Sequence, residues 1–429
     1  MNTLQTDELS RIQVLILAGG QGERLLPLTR LRAKAAVPFG GAFRLIDFTL
    51  TNCLNSGLRD VSLLTQYLHE DLHSYIRQAW SEFWTRSGEK RSPLVCLPPV
   101  SGKRYRGTAD AVLQNIPVIS PKKPQHVLIL AGDHVYRTDY RNLLRKHIDT
   151  DADLTISTIE HPVADATEFG VVEVDNDLKV TGFSEKPSRP RSLPQRPNTA
   201  LVSMGIYVFK MEALVAALQQ NCSDGAGNDF GRDIIPSFLK TARVSACNFH
   251  DQASNAPGYW RDIGTVDSYH AASMDLIRSD SSFDPNRDRD HSNSICQRRL
   301  TGNTWLTTRM DIMSSVNARL TDTVISDGVR VEGDAEVEDS VLLPGARVSK
   351  GARLRRVIVE EGVHVPEGFA AGWDLASDSK LYTITPGGIV VLSATPRLIA
   401  PKPLRFNSDN KATTLRGVRR DSKGDCWIR

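Results

Sequence analysis

Three glycines within four positions, Gly19, Gly20 and Gly22, follow the apolar run Val14-Leu15-Ile16-Leu17-Ala18. Without Cβ atoms the backbone there can approach an anion closely and aim its N–H groups at it. Arg24 and Lys34 lie just downstream and supply fixed cations for phosphate oxygens. Two common phosphate loops are excluded. No Gly-Lys-Ser/Thr follows, and Leu25 takes the third glycine position of the dinucleotide fingerprint. Asp133 stands just beyond a second apolar run, Val127-Leu128-Ile129-Leu130-Ala131, at the carboxyl edge where open α/β sheets bind ligands. Asp262 lies in Tyr259-Trp260-Arg261-Asp262-Ile263-Gly264-Thr265. Either aspartate alone is more often a turn former or cap. Beside a phosphate-binding loop, two carboxylates with phosphate oxygens and waters suit an octahedral Mg²⁺, which seldom takes an all-protein cage.

Elements able to position these groups are legible in the first half. The two apolar runs read as buried parallel strands, and Leu154 to Ile159, Val171 to Val174 and Met204 to Phe209 as further strands. Thr108 to Ile119 and Tyr140 to Ile148 read as helices, so strands and helices alternate as in an α/β sheet with crossovers. Ser188 to Pro197, rich in Pro, Arg and Ser, reads as an exposed loop. Ser, Asp, Arg and Asn dominate from about Ser279 to Asn293, and the domain boundary is placed there. Beyond it aliphatic residues recur every six positions: Ile325, Val331, Val337 and Leu343, then Leu342, Val348 and Leu354, then Val359 and Val365. Such spacing marks a parallel β-helix of about four coils, with the register slipping near Leu343. A run of ordinary hairpins with chance spacing is the competing reading.

Composition narrows the class. The chain has 429 residues, 40% hydrophobic and 24% charged, enough for two or three domains. Its net charge of +3 argues neither for nor against a nucleic-acid partner, and none is expected, so an anion site must be a local cluster. Six scattered cysteines without a C-x-x-C pair read as reduced thiols. The polar N-terminus and the lack of any apolar run near the ~20 residues of a membrane span point to a cytoplasmic protein off the membrane.

The span from Leu17 to Gly41, with G-G-x-G-x-R-L, then P-L-T and a Lys, resembles the opening of the sugar-phosphate nucleotidyltransferases. Further stretches resemble the bacterial glucose-1-phosphate adenylyltransferases. They include F-R-L-I-D-F-T-L-T-N-C-L-N-S-G from Phe43, T-Q-Y from Thr65, Y-R-G-T-A-D-A-V from Tyr105 and A-G-D-H-V-Y from Ala131. S-E-K-P from Ser184, S-M-G-I-Y-V-F from Ser203, D-F-G-R-D-I-I-P from Asp229 and Y-W-R-D-I-G-T from Tyr259 continue the likeness, which runs in order from about Ile12 to Gly372.

The resemblance implies a Rossmann-like α/β nucleotidyltransferase domain with a mixed, mostly parallel sheet (residues 1–280). A linker (281–310) and a C-terminal left-handed parallel β-helix with a tail (311–429) would follow. The implied reaction transfers the adenylyl group of ATP to glucose 1-phosphate, giving ADP-glucose and pyrophosphate for glycogen synthesis. Asp133, Arg24 and Lys34 would be catalytic, and Asp133 and Asp262 would bind Mg²⁺. Gly19, Gly20, Gly22, Arg24, Tyr105, Gly107 and Thr108 would hold ATP, with Tyr105 able to stack a base. Gly170, Glu185, Lys186, Ser203, Tyr207, Asp229, Phe230 and Trp260 would form the glucose 1-phosphate pocket, although Tyr207 and Phe230 read equally well as core. A homotetramer is implied, with a small anionic metabolite effector bound near Arg32, Arg44 and Gln66. Leu31 stands where enteric relatives carry a basic residue, Arg104 replaces an aromatic, Ala35 replaces a proline, and no arginine cluster follows Lys380. These departures leave the effector's identity open. Another nucleotide or sugar phosphate, or a non-catalytic regulatory subunit, are the alternatives.

Overall fold

The computed structural model describes residues 6–85, 94–100, 103–175, 179–223, 227–250, 257–277, 298–301, 304–307, 317–394 and 426–427. The chain divides into two compact units. One comprises Met1–Gln21, Arg32–Ala36 and Leu45–Trp260; the other comprises Gly22–Leu31, Val37–Arg44 and Arg261–Arg429. The composition shift at Ser279 to Asn293 lies outside the described residues, as does most of the chain beyond 394. Within the stretch read as linker, Arg298–Thr301 and Thr304–Thr307 pair as an antiparallel hairpin.

The first unit is built on a nine-stranded sheet. Its strands are β1 (Ile12–Ala18), β2 (Val61–Thr65), β3 (Leu94–Leu97), β4 (His126–Ala131), β5 (Leu154–Pro162), β6 (Gly170–Val174), β7 (Val180–Glu185), β8 (Thr199–Lys210) and β9 (Val244–Asn248). The order is β7-β6-β8-β4-β1-β2-β3, with β5 also on β8 and β9 on β5. β1 is apolar throughout because both its faces are covered: Val14 and Ile16 enter one core cluster and Leu15 the other. It pairs in parallel with β2 on one side and β4 on the other. Successive crossovers therefore depart to opposite sides of β1, and the crevice at such a switch point is where open α/β sheets take ligands. Leu17 is in register with Ala131, and Gly132 N–H donates to Leu17 O at 3.0 Å, so the glycine loop and the Asp133 loop start side by side.

β8 is antiparallel to its neighbours and changes partner midway, from β6 at Val202 to β4 at Tyr207. Its pairing with β5 is irregular between Ser203 and Tyr207, where Gly205 has φ +67°. Ser203 and Tyr207, four apart on the strand, share one face across this irregularity, with Ser203 Oγ donating to the Tyr207 hydroxyl at 3.3 Å. The helices Thr108–Ile119 and Tyr140–Asp149 form where the sequence pattern places them. Asp139 caps the second by accepting from Arg141 N–H at 3.0 Å.

His147, on the inner face of that helix, is fully buried between Thr155 Oγ1 at 2.8 Å and His126 Nδ1 at 3.2 Å. Burial, then the charges of His126 and Lys210, lower its pKa to about 3, against the pull of Asp153 and Asp151. Below the ordinary imidazole value of ~6.5 the unfolded chain gains a proton that the folded chain refuses, so stability falls as pH drops. The folded imidazole would charge only near pH 3, so the loss accumulates across the window from about 6.5 down to 3. Between pH 6.5 and 5 this group is expected to cost about 2 kcal/mol. His147→Gln should lose correspondingly less over that range in urea melts; parallel acid slopes for the two proteins would refute the assignment.

In the second unit, parallel ladders pair Arg319 with Glu336 and Glu336 with Arg353, seventeen residues on each time. Ile325, Val331, Val337, Leu342, Val348, Leu354, Val359, Val365 and Ala371 line the coil core. Their spacing is six, six, five, repeated. The six-residue series ending at Leu343 is thus corrected, since Leu342 takes the inward place. The physical cause is a left-handed residue on this side of each coil, Asp322, Asp339 and Arg356 with φ of 45°, 45° and 56°, which resets the in–out alternation along the chain. The helix Val266–Asp275 belongs to this unit, its His270 Nε2 lying 2.8 Å from Asp339 O. Among the described residues, no helix is long and apolar enough to cross a membrane, and Cys53, Cys96 and Cys247 are free thiols.

Candidate active site

Lys34 and Asp133, ninety-nine positions apart in sequence, meet with Lys34 Nζ 2.5 Å from Asp133 Oδ2. Burial alone would raise the Asp133 pKa; the Lys34 charge, then His134, outweigh it and hold the carboxyl below the usual range. Asp133 Oδ1 lies 3.7 Å from His134 Nε2, beyond hydrogen-bond reach. His134 is itself oriented by Trp260, whose Nε1–H donates to His134 Nδ1 at 3.3 Å, with the rings perpendicular at 5.3 Å. An indole N–H can only donate, so Nδ1 is the acceptor and the ring hydrogen is on Nε2, the atom facing Asp133. Trp260 also packs on Phe169 at 5.4 Å. It thus links the Asp133 group to the expected sugar-phosphate residues, since the Phe169 carbonyl accepts from Lys186 N–H at 3.0 Å and a Cβ at Gly205, between Ser203 and Tyr207, would stand 3.4 Å from His134 Cε1.

At the mouth of β1, a Cβ at Gly19 would stand 3.3 Å from Gln66 Cβ, whereas one at Gly20 would meet no atom within 4 Å. Packing within the fold therefore does not require Gly20 to be glycine. Gln66 accepts from Tyr105 N–H at 2.5 Å and donates to Tyr105 O at 3.4 Å. The structure thus sets Gln66, expected with the effector residues, beside the glycine loop and the backbone of Tyr105. The Tyr105 ring is only 9% exposed, and its hydroxyl donates to Leu97 O at 3.0 Å and accepts from Asn115 at 2.9 Å. Tyr105 belongs to the core cluster that also holds Leu15 and Ile129, where the ring has a large apolar area to bury. Gly107 has a packing role: a Cβ there would lie 2.4 Å from Asn228 O. That carbonyl also accepts from Ala109 N–H at 2.8 Å and so satisfies one open donor of the helix start.

Glu185, Ser203, Tyr207, Asp229 and Phe230 come together on one face of the sheet. Gly170 lies opposite Glu185 in register, and Cβ atoms at Gly170 and Gly231 would stand 2.9 and 2.4 Å from Glu185 Oε2. Two glycines thus make room for one carboxylate. Burial, then the charge of Asp229, raises the Glu185 pKa, while Lys186 and Arg232 pull it down. Asp229 Oδ1 accepts from Gly231 and Arg232 N–H, both at 3.0 Å, and Oδ2 from Thr108 Oγ1 at 3.1 Å. Thr108, expected on the nucleotide side, therefore ties that turn to the sugar-phosphate side. Phe230 is buried and its ring lies 6.0 Å from Tyr207, so it packs core. Burial raises the Tyr207 pKa. Lys186 is exposed and has φ +47°, a conformation that few side-chain-bearing residues adopt and that recurs at functional sites.

In the second unit, Gly22 has φ +66° and its carbonyl accepts from Thr29 Oγ1 at 2.8 Å. Arg24 and Asp262 converge there: a Cβ at Gly264 would lie 3.3 Å from Arg24 Nη2 and 3.5 Å from Asp262 Oδ2. Arg44 is half-buried on the hairpin of Pro38–Phe39 with Phe43–Arg44, and Arg32 is half-buried in the first unit. Ala35 is buried, and Leu31 is largely exposed. His134, Gly231 and Asn228 escaped sequence reasoning. The roles of His134 and Asn228 depend on neighbours more than a hundred residues away and that of Gly231 on Glu185, forty-six away, and adjacency to Asp133 or Asp229 was the sole local signal.

Comparison with known proteins agrees with this arrangement. A family model described as "Nucleotidyl transferase" matches residues 13–279, and one described as "GlmU-like, C-terminal hexapeptide" matches residues 311–392. The chain is 40% identical over 409 residues to the glucose-1-phosphate adenylyltransferase of Nitrosomonas europaea, covering 90% of this chain and 92% of that protein. It is 39% identical over 413 residues to the enzyme of that name from Hydrogenovibrio crunogenus, covering 92% and 96%. It is 39% identical over 392 residues to glucose-1-phosphate adenylyltransferase 2 of Alkalilimnicola ehrlichii, covering 89% and 93%. With the switch-point loop, the paired Lys34 and Asp133 and the coiled C-terminal unit, these matches establish that the chain belongs to the glucose-1-phosphate adenylyltransferase family of nucleotidyl transferases.

Proposed function

We propose that this chain transfers the adenylyl group of ATP to α-D-glucose 1-phosphate, releasing ADP-glucose and pyrophosphate. The observation that carries the reading is the Lys34–Asp133 ion pair at the carboxyl end of β4, beside the glycine loop of β1. A phosphate monoester has its second pKa near ~6, so the attacking oxygen is already largely ionised at neutral pH and needs no dedicated base. The chain's task is to hold two anions in line and to neutralise charge as the α-phosphorus changes partners. The backbone N–H groups of Gly19 to Gly22, with Arg24, would hold the triphosphate. Lys186 would take the sugar phosphate, and Glu185 the sugar hydroxyls.

Asp133 and Asp262 are proposed to offer carboxylate oxygens to Mg²⁺. The donor set fits: both are hard oxygen ligands, and Asp133 is kept ionised by Lys34. When bound, the ion supplies charge neutralisation on the phosphate oxygens. We further propose that the product feeds glycogen synthesis in the cytoplasm, that the protein is a homotetramer, and that a small anionic metabolite regulates it through Arg32, Arg44 and Gln66. A radiolabelled pyrophosphate-exchange panel of nucleotides and sugar phosphates tests the reading. ATP with glucose 1-phosphate is expected to exceed every other pair by at least about tenfold. Preference for another pair would move the chain to a different substrate, and no exchange with any pair would favour a regulatory subunit.

A further inference from the structure

We propose that the helix Ile46–Asn55 is a positioning element for Asp133, acting through a polar stripe of Thr49, Asn52 and Ser56. The proposal deepens the reading above and rests on Asp133 being catalytic. The three side chains recur at i, i+3 and i+7 and so share one side of the helix. All three are buried. Each engages the backbone of the segment from Ala131 to Tyr140, which carries Asp133. Thr49 Oγ1 donates to Ala131 O at 2.9 Å, two residues before the aspartate. Asn52 uses both ends of its amide, donating to Tyr136 O at 3.1 Å and accepting from Thr138 N–H at 3.2 Å. Ser56 Oγ accepts from Tyr140 N–H at 2.9 Å, just after the helix ends.

Asp133 is thereby anchored from both sides, at 131 and at 136 to 140. The residue between anchor and acid is caged as well. A Cβ at Gly132 would stand 3.1 Å from Ile46 Cδ1 and 3.2 Å from Ile16 Cγ2. A second stripe of the same helix, Ile46, Leu50 and Cys53, packs into the core. The helix is also pinned from its far side, where Asp47 accepts from the Tyr75 hydroxyl at 2.5 Å and Trp80 Nε1 at 2.7 Å. A helix needed for packing alone would bury apolar groups along both stripes. This one buries hydroxyls and an amide matched to carbonyls and N–H groups between Ala131 and Tyr140. The function of the F-R-L-I-D-F-T-L-T-N-C-L-N-S-G stretch is, on this account, to hold the Asp133 carboxylate within the small tolerance that in-line chemistry demands.

The test compares Thr49→Val, Thr49→Ser and Asn52→Ala in the full-length enzyme, each also in an Asp133→Asn background. Thr49→Val keeps the shape and removes the donor; it is expected to lower kcat by about 10- to 100-fold, with KM for glucose 1-phosphate within about twofold. Thr49→Ser should recover most of the loss. In the Asp133→Asn background Thr49→Val should change kcat by less than about twofold, because the group being positioned is already gone. A folded Thr49→Val enzyme with wild-type kcat, or the same fold-loss in both backgrounds, overturns the proposal. Should Asn52→Ala fail to fold, the Thr49 pair decides alone. Wild-type kcat in Asp133→Asn itself would overturn the reading of Asp133, a result distinct from additivity.

Discussion

Asp133→Asn is expected to lower kcat by about a thousandfold while leaving both KM values within severalfold. The substitution preserves volume and hydrogen-bonding reach but removes the negative charge that Lys34 and a divalent ion would share. Loss confined to kcat is the signature of a group whose interaction grows as charge develops in the transition state. Steady-state rates of purified Asp133→Asn across a Mg²⁺ titration measure it, and turnover within tenfold of wild type would remove Asp133 from the mechanism. Lys34→Gln gives a second handle. Because the Lys34 charge is what chiefly lowers the Asp133 pKa against burial, its removal should raise that pKa. The carboxylate would then be lost on acidification at a higher pH, so the acid limb of kcat should move upward.

Lys186→Ala is expected to raise KM for glucose 1-phosphate by about 10- to 100-fold, with kcat changed severalfold at most and KM for ATP unchanged. A charge-assisted bond to phosphate contributes about 1.5–3 kcal/mol, which sets that range. The left-handed backbone at Lys186 aims an exposed ammonium from the end of β7, and alanine keeps that backbone while removing the cation. A parallel rise in KM for ATP would contradict the assignment. The same variant should raise the Glu185 pKa, since Lys186 lowers it against burial and Asp229. Binding that depends on an ionised Glu185 would then fade at a higher pH than in the wild type.

The elements were legible where burial is uniform. β1 and β4 are apolar on both faces, so periodicity did not matter and composition alone marked them. The coils were legible for the opposite reason, a strict inward repeat, and the reading slipped only at Leu343. There one left-handed residue, Asp339, resets the alternation, and no residue type announces such a conformation reliably. Roles inside the site were less legible. Tyr105 and Phe230 carry rings that could cover a ligand, but burial of that large apolar area against the core prevails in both. Gly107, expected among the ATP-binding residues, also makes room for the Asn228 carbonyl.

The chemistry of this chain, a glycine loop with cations and acids suited to phosphates, is written locally, because residue type and short spacing suffice to say what a group can bind. Partnership is not written locally. Lys34 facing Asp133, Trp260 holding the His134 ring, Thr108 tied to Asp229 and the Thr49–Asn52–Ser56 stripe clasping the Asp133 loop all join residues tens to hundreds of positions apart. Such pairs come into being when strand order brings distant loops to the same sheet edge. Register then settles which atoms lie within 3 Å, a quantity that no window of sequence contains.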